Sequence, residues 1–259
     1  MKYSILMLAL MSTSVFATDP NATGPNKVYI EQLGNTNVIT IEQVGGTNNV
    51  GGINGTTNVA GADHATTHTP DAPSASNYAT VNGNTNNVAI TQTGNNNSAQ
   101  YNIKGNQNTY TSTVVGNGNK TKLKLGDANT NNLRNTITEA ITGNNNISIQ
   151  TLLGNDITST TTINGSDNQI TQDLKSTNGT STNTITGSSN YVFTEQSDSA
   201  GANGHVLNNV IAGDFNSIMT QQQGSNDTTV DIQTTGSHNT ITVRTSSSAI
   251  VNPVTAIAR

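Results

Sequence analysis

The chain has 259 residues, of which 31% are hydrophobic, 3% aromatic and 10% charged, with a formal net charge of −5. An ordinary globular domain carries about 45–50% apolar and about 25% charged residues, so this composition argues against a conventional single-core enzyme. The absence of Cys excludes disulfides, thiolate catalysis and Cys-type zinc sites, and 10 basic residues against 15 acidic leave no electrostatic footprint for nucleic acid.

Asn and Thr, 41 and 44 of them, occupy the places that apolar residues usually hold. Disorder normally brings high net charge or abundant Pro, and this chain has neither, with only 5 Pro. The expectation is a repeat whose interior is built from polar ladders.

Residues 1–17 read as a secretion signal. Lys2 supplies the positive start, Ile5 to Met11 the apolar stretch and Val15-Phe16-Ala17 a small-residue cleavage pattern. The mature, secreted chain is then expected to begin near Thr18. The apolar stretch is too short to span a bilayer, and no other segment is expected to cross one as a helix.

From there to residue 245 an eleven-residue beat governs the chain. Glycines fall at Gly34 and Gly45, then at Gly83, Gly94, Gly105 and Gly116. They return at Gly143, Gly154 and Gly165, skip Ser176, and resume at Gly187, Gly213, Gly224 and Gly236. Three residues after most of them stands an Asn: Asn37, Asn48, Asn86, Asn97, Asn108, Asn119, Asn146, Asn168, Asn190, Asn216 and Asn239, with Ile157 and Asp227 as departures and Asn26 one repeat earlier. A period-two stretch follows each, as in Asn37-x-Ile39-x-Ile41-x-Gln43 and Asn86-x-Val88-x-Ile90-x-Gln92, which is one buried and one wet face of a strand.

Each unit therefore reads as a strand and a tight Gly-x-x-Asn turn, Gly supplying positive φ and Asn tolerating the left-handed conformation and bonding its own backbone. Two units make a 22-residue coil, and stacked coils make an all-β solenoid of roughly nine or ten coils, about 45 Å long. Stacking sets identical side chains into ladders, so that buried Asn and Gln amides satisfy one another. Three interruptions are expected: a Pro-containing loop over 60–77, and extra turn residues near 127–132 and 199–204. Residues 246–259 lie outside the repeat and read as a C-terminal cap or tail.

The motif Gln32-x-Gly34-x-x-Asn37-x-x-x-x-x-Gln43 resembles the curlin repeat, the unit of the subunits that build bacterial curli fibres. Gln43-x-Gly45-x-x-Asn48 and Gln92-x-Gly94-x-x-Asn97 carry the same opening, and Gln222-x-Gly224 part of it. Elsewhere Val81, Ile103, Val114, Ile141, Leu152, Ile163, Ile185 and Ile211 stand where the leading Gln would be. The resemblance implies a secreted amyloid subunit of the extracellular matrix or bacterial cell surface. Its partners would be other copies, another curlin-like subunit and an outer-membrane export machinery.

No catalytic constellation and no cofactor are expected. His64 and His68, with Asp63 and Asp71, sit in the Pro-containing loop and are not read as a metal site. Lys120, Lys122 and Lys124 alternate on an outward face, as a stripe that either discourages lateral aggregation or attracts an anionic polymer. If the insertions preserve the alternation of sides, one outer side presents Thr109, Thr111 and Thr113, then Thr136 and Thr138, then Thr158, Thr160 and Thr162, then Thr180, Thr182 and Thr184. That array is similar to the surface of solenoid ice-binding proteins. It keeps a second reading open, a monomeric extracellular solenoid that adheres to a surface or binds ice.

Overall fold

A computed structural model describes residues 26–51, 79–126, 132–197, 204–224 and 226–246, together with the backbone of 254–258. The predicted signal at 1–17 lies outside the described residues. Twenty strands and no helix appear among those that are described. The first five are β1 (Lys27–Val28), β2 (Ile30–Leu33), β3 (Val38–Val44), β4 (Asn49–Val50) and β5 (Ala79–Asn82). Then come β6 (Asn87–Thr93), β7 (Ser98–Lys104), β8 (Thr109–Val115), β9 (Lys120–Leu125) and β10 (Thr136–Thr142). The third group is β11 (Ile147–Leu152), β12 (Thr158–Asn164), β13 (Gln169–Lys175), β14 (Thr180–Thr186) and β15 (Tyr191–Ser197). The last are β16 (Val206–Ala212), β17 (Ser217–Gln223), β18 (Thr229–Thr235), β19 (Thr240–Ser246) and β20 (Val254–Ala258).

The strands form two parallel sheets. One stacks β1-β4-β7-β9-β11-β13-β15-β17-β19, with β2 and β5 completing its first two levels, and the other stacks β3-β6-β8-β10-β12-β14-β16-β18-β20. The chain alternates between them, so each coil has one strand in each sheet and a corner turn at each end. The fold is an all-β solenoid of about 8 turns, with successive levels about 22–23 residues apart. Each sheet stacks nine strand levels, in line with the nine or ten coils that the period predicts.

The longest interruption does not sit at a turn. Asn49 and Val50 of β4 pair with Ser98 and Ala99 of β7, while Thr80 and Val81 of β5 pair with Asn102 and Ile103 of the same strand. Gly51 and Ala79 thus fill the two intervening positions, opposite Gln100 and Tyr101. The 60–77 loop itself lies outside the described residues, but its chain leaves and rejoins the solenoid in the middle of one strand level. Gly51 makes this possible: it holds φ +74, and a Cβ there would collide with the carbonyl oxygen of Tyr29. The other two interruptions lie between a strand of the first sheet and a strand of the second, β9 to β10 and β15 to β16. Within the C-terminal segment 246–259, β20 runs parallel to β18 and adds a rung to the second sheet.

Alternation decides what is inside. In β6 the side chains of Val88, Ile90 and Gln92 are buried, and in β12 those of Ser159, Thr161 and Ile163. The two inner faces meet directly: Tyr101 of the first sheet packs edge-to-face on Tyr110 of the second at 6.3 Å. Apolar clusters fill much of the interior, one running from Ile39 and Ile41 to Leu174 and one from Val114 and Ile141 to Val243. A polar network inside levels three to six lies among them.

Candidate functional site

The corner that leads from the second sheet back to the first keeps the Gly-x-x-Asn motif at every level, from Gly45-x-x-Asn48 to Gly236-x-x-Asn239. Its Asn residues form one column, Asn26, Asn48, Asn97, Asn119, Asn146, Asn168, Asn190, Asn216 and Asn239, buried from Asn48 to Asn216. The bonding is repetitive. Asn146 shows it in full: its backbone N–H and Nδ2 donate to Asn119 Oδ1 at 2.9 and 3.0 Å, and Nδ2 also donates to the carbonyl of Gly165 at 2.8 Å. Its own Oδ1 accepts the backbone N–H and Nδ2 of Asn168 at 3.0 and 3.1 Å. Each amide is thereby shared between levels, which removes the penalty for burying it.

A second string of bonds runs outside the first with opposite polarity. Here the N–H of the lower level donates upward, as Asn95 to Asn117 Oδ1 at 2.8 Å, Asn117 to Asn144 Oδ1 at 2.9 Å and Ser188 to Asp214 Oδ1 at 2.6 Å.

The expected left-handed Asn is not where the turn places positive φ. That conformation falls on the preceding residue: Thr36, Thr47, Thr85, Asn96, Gln107, Asn145, Asp167, Ser189, Phe215 and His238 all have φ between 55 and 63. The motif Asn is thereby free to point inward and bond the next coil. The glycine supplies the other positive φ, +114 at Gly94, where a Cβ would also strike the carbonyl oxygen of Gly116 in the coil above.

The opposite corner keeps its Asn for four levels only. Asn37, Asn86, Asn108 and Asn135 stack with Asn86 Nδ2, Asn108 Nδ2 and Asn135 Nδ2 donating to the Oδ1 below at 3.1, 3.0 and 3.1 Å. Ile157, Gly179, His205 and Thr228 then take the slot, in that order. Asn135 escapes a fixed count because the interruption before it shifts the frame; the signal was the alternation Ile137-x-Glu139-x-Ile141 that follows it. A separate extra residue after Gly224 makes Thr228, and not Asp227, the occupant of the eighth level. His205 is wholly buried, with Nε2 3.0 Å from the carbonyl of Ser197 and Nδ1 2.8 Å from Thr228 Oγ1.

The Gln residues make shorter ladders. Gln43 Nε2 donates to Gln92 Oε1 at 2.8 Å, both side chains being buried. Gln32 is half-buried at the first level, where its partner position is Val81. A second pair, of which the sequence marked only Gln222, lies far along the stack, Gln196 Nε2 to Gln222 Oε1 at 2.9 Å.

Sequence reasoning also missed the interior of the middle coils. Glu139 is 2% exposed and receives hydrogen bonds from Tyr110 Oη at 3.2 Å, Ser112 Oγ at 3.0 Å and Gln150 Nε2 at 3.4 Å. Desolvation raises its carboxyl above the usual range. Desolvation, and then the neighbouring Glu139, push the Tyr110 phenol well up. The network continues from Gln150 through Ser159 to Gln172 and Thr161.

On the outside, the registers bring the predicted threonines together on the second sheet. Three columns form: Thr109–Thr136–Thr158–Thr180, Thr111–Thr138–Thr160–Thr182 and Thr113–Ala140–Thr162–Thr184. Lys120, Lys122 and Lys124 lie on the outer side of the first sheet, where burial and then Lys124 lower the Lys122 ammonium. In the next levels of that side, Ile149 and Phe193 are only 5% and 7% exposed.

His64, His68, Asp63 and Asp71 lie outside the described residues. Among those described, no group of three His, Cys, Asp or Glu could hold a metal ion, and no helix is long and apolar enough to cross a membrane.

Both ends of the stack present strand edges. Among the described residues nothing pairs with the outer edges of β1, β2 and β3, or with those of β19 and β20. The first end also carries a buried acceptor, Gln43 Oε1, with no hydrogen-bond partner. No protein-family model, no characterised protein and no solved structure matches the chain.

Proposed function

We propose that the chain is a secreted structural subunit that assembles end to end into extracellular fibres, in the manner of a curlin-like functional amyloid. Other copies, or another curlin-like subunit, are its partners, and an outer-membrane machinery is its route of export. The observation that carries this reading is the pair of strand edges at the two ends, since an unpaired edge templates the next strand.

The register of the stack supports it in detail. Continued by one further level, it sets β1 and β2 of a second copy on β19, with Thr240 on Lys27 and Ser246 on Leu33. Inward, Ile241 meets Val28 and Val243 meets Ile30, so apolar columns run on. Outward, Arg244 meets Glu31, an opposite-charge pair of the kind worth about 0.2–1 kcal/mol across strands. Such a head-to-tail contact does not close on itself and gives a filament.

Seeded growth of the mature chain, followed by thioflavin fluorescence, electron microscopy and fibre diffraction, tests the reading. Fibres with a meridional spacing of about 4.8 Å that grow from their own seeds are expected. Glu31→Arg and Arg244→Glu should each slow growth, and the two together should restore it. A stable β-rich monomer that ignores seeds would overturn the assignment.

A further inference from the structure

We propose that the outer face of the second sheet is an ice-binding surface. The inference does not rest on the fibre reading, because each single copy carries the whole face.

The face is a grid of four strand levels and three outward positions, and eleven of its twelve side chains are Thr, the exception being Ala140. In-register stacking sets its rows about 4.8 Å apart and its positions along each strand about 6.8 Å apart. Thr113, Thr136, Thr138 and Thr158 are exposed and the other seven threonines half-buried, and none of the eleven hydroxyls has a hydrogen-bond partner among the described residues. Their β-branching restricts χ1, so hydroxyls and methyls repeat in a fixed order. The backing is stiff: beneath the grid lie Ile137, Ile141, Ile163 and Ile185 and the Glu139 network, all buried.

A ligand that matches such a face must itself repeat in two dimensions at this scale and need no charge. Outward positions on β8, β10, β12 and β14 carry no ionised group and no aromatic ring; the first acidic ones met along the stack are Glu42 of β3 and Asp231 of β18. Soluble sugars are gripped by ring stacking and planar amides, which the grid lacks. An ice face is a lattice of oxygen sites, which hydroxyls anchor by hydrogen bonds while the methyls between them hold water without bonding it.

The test uses the secreted chain as unseeded monomer, in a cooled droplet and in slowly growing ice. Wild type is expected to separate melting from freezing and to enter the ice. The triple variant Thr138→Lys, Thr160→Lys, Thr182→Lys should lose both effects. A variant with the same added charge on the other sheet, Thr151→Lys, Gln169→Lys, Gln221→Lys, should keep them. Circular dichroism must show the same β content in all three. Exclusion of folded wild type from ice would overturn the proposal, as would equal loss in both variants. Retention on crystalline cellulose with exclusion from ice would overturn it in favour of a periodic polysaccharide.

Discussion

The Tyr110 hydroxyl donates to the Glu139 carboxyl at 3.2 Å with both side chains inside the solenoid. No cation faces this carboxyl: its described neighbours are Tyr110, Ser112, Ser148 and Gln150. Burial raises its folded pKa above the unfolded value, so between the two values the folded state holds more protons. The stabilising effect is complete below the unfolded pKa and is lost as pH rises through the folded one. Thermal unfolding followed between pH 4 and 9 should therefore show the melting temperature falling toward alkaline pH, about the range in which a raised carboxyl titrates. Glu139→Gln should flatten that slope, and an unchanged slope would refute the account.

The Asn column predicts a cost that depends on height. Asn146→Ala removes an amide bonded both upward and downward and leaves the Asn168 N–H and the Gly165 carbonyl without their partner. It should cost about 1–3 kcal/mol in denaturant unfolding. Among the described residues Asn239 bonds only downward, to Asn216 at 2.9 and 3.0 Å. Asn239→Ala should cost less in the monomer, and the two substitutions should differ measurably in midpoint.

Gly94→Ala should be worse than either. It asks an L-residue to hold φ +114 and puts a methyl against the carbonyl of the neighbouring coil. The expected loss is about 3 kcal/mol or more, read as a lower denaturation midpoint. Proteolysis should show cleavage opening near the turn.

Replacing the left-handed threonines should work the other way. Thr85 holds φ 59 although it is β-branched, and such residues are strained there while Asn is tolerated. Thr85→Asn should raise stability by about 0.5–1 kcal/mol, visible as a higher melting temperature.

Much of this architecture was legible because a solenoid repeats its physics. The eleven-residue beat and the alternation Asn37-x-Ile39-x-Ile41-x-Gln43 state the coil, its inner face and its ladders before any coordinates. What a fixed count could not follow was the frame after an interruption, so Asn135 and Thr228 were overlooked. Nor does periodicity say which of two corners keeps its motif. The bond from an Asn to the coil above, rather than to its own backbone, exists only once coils are stacked. Glu139 looked like any strand residue, since a lone acidic letter does not announce that strands of the neighbouring levels, β8 and β11, will supply its donors.

The mid-strand departure at Gly51 carries a consequence for how this chain can be edited. Gly51 and Ala79 are successive rungs against β7. The register of the rungs on either side is set by residues outside 52–78, so foreign sequence grafted between those two residues is expected to leave the neighbouring rungs in register.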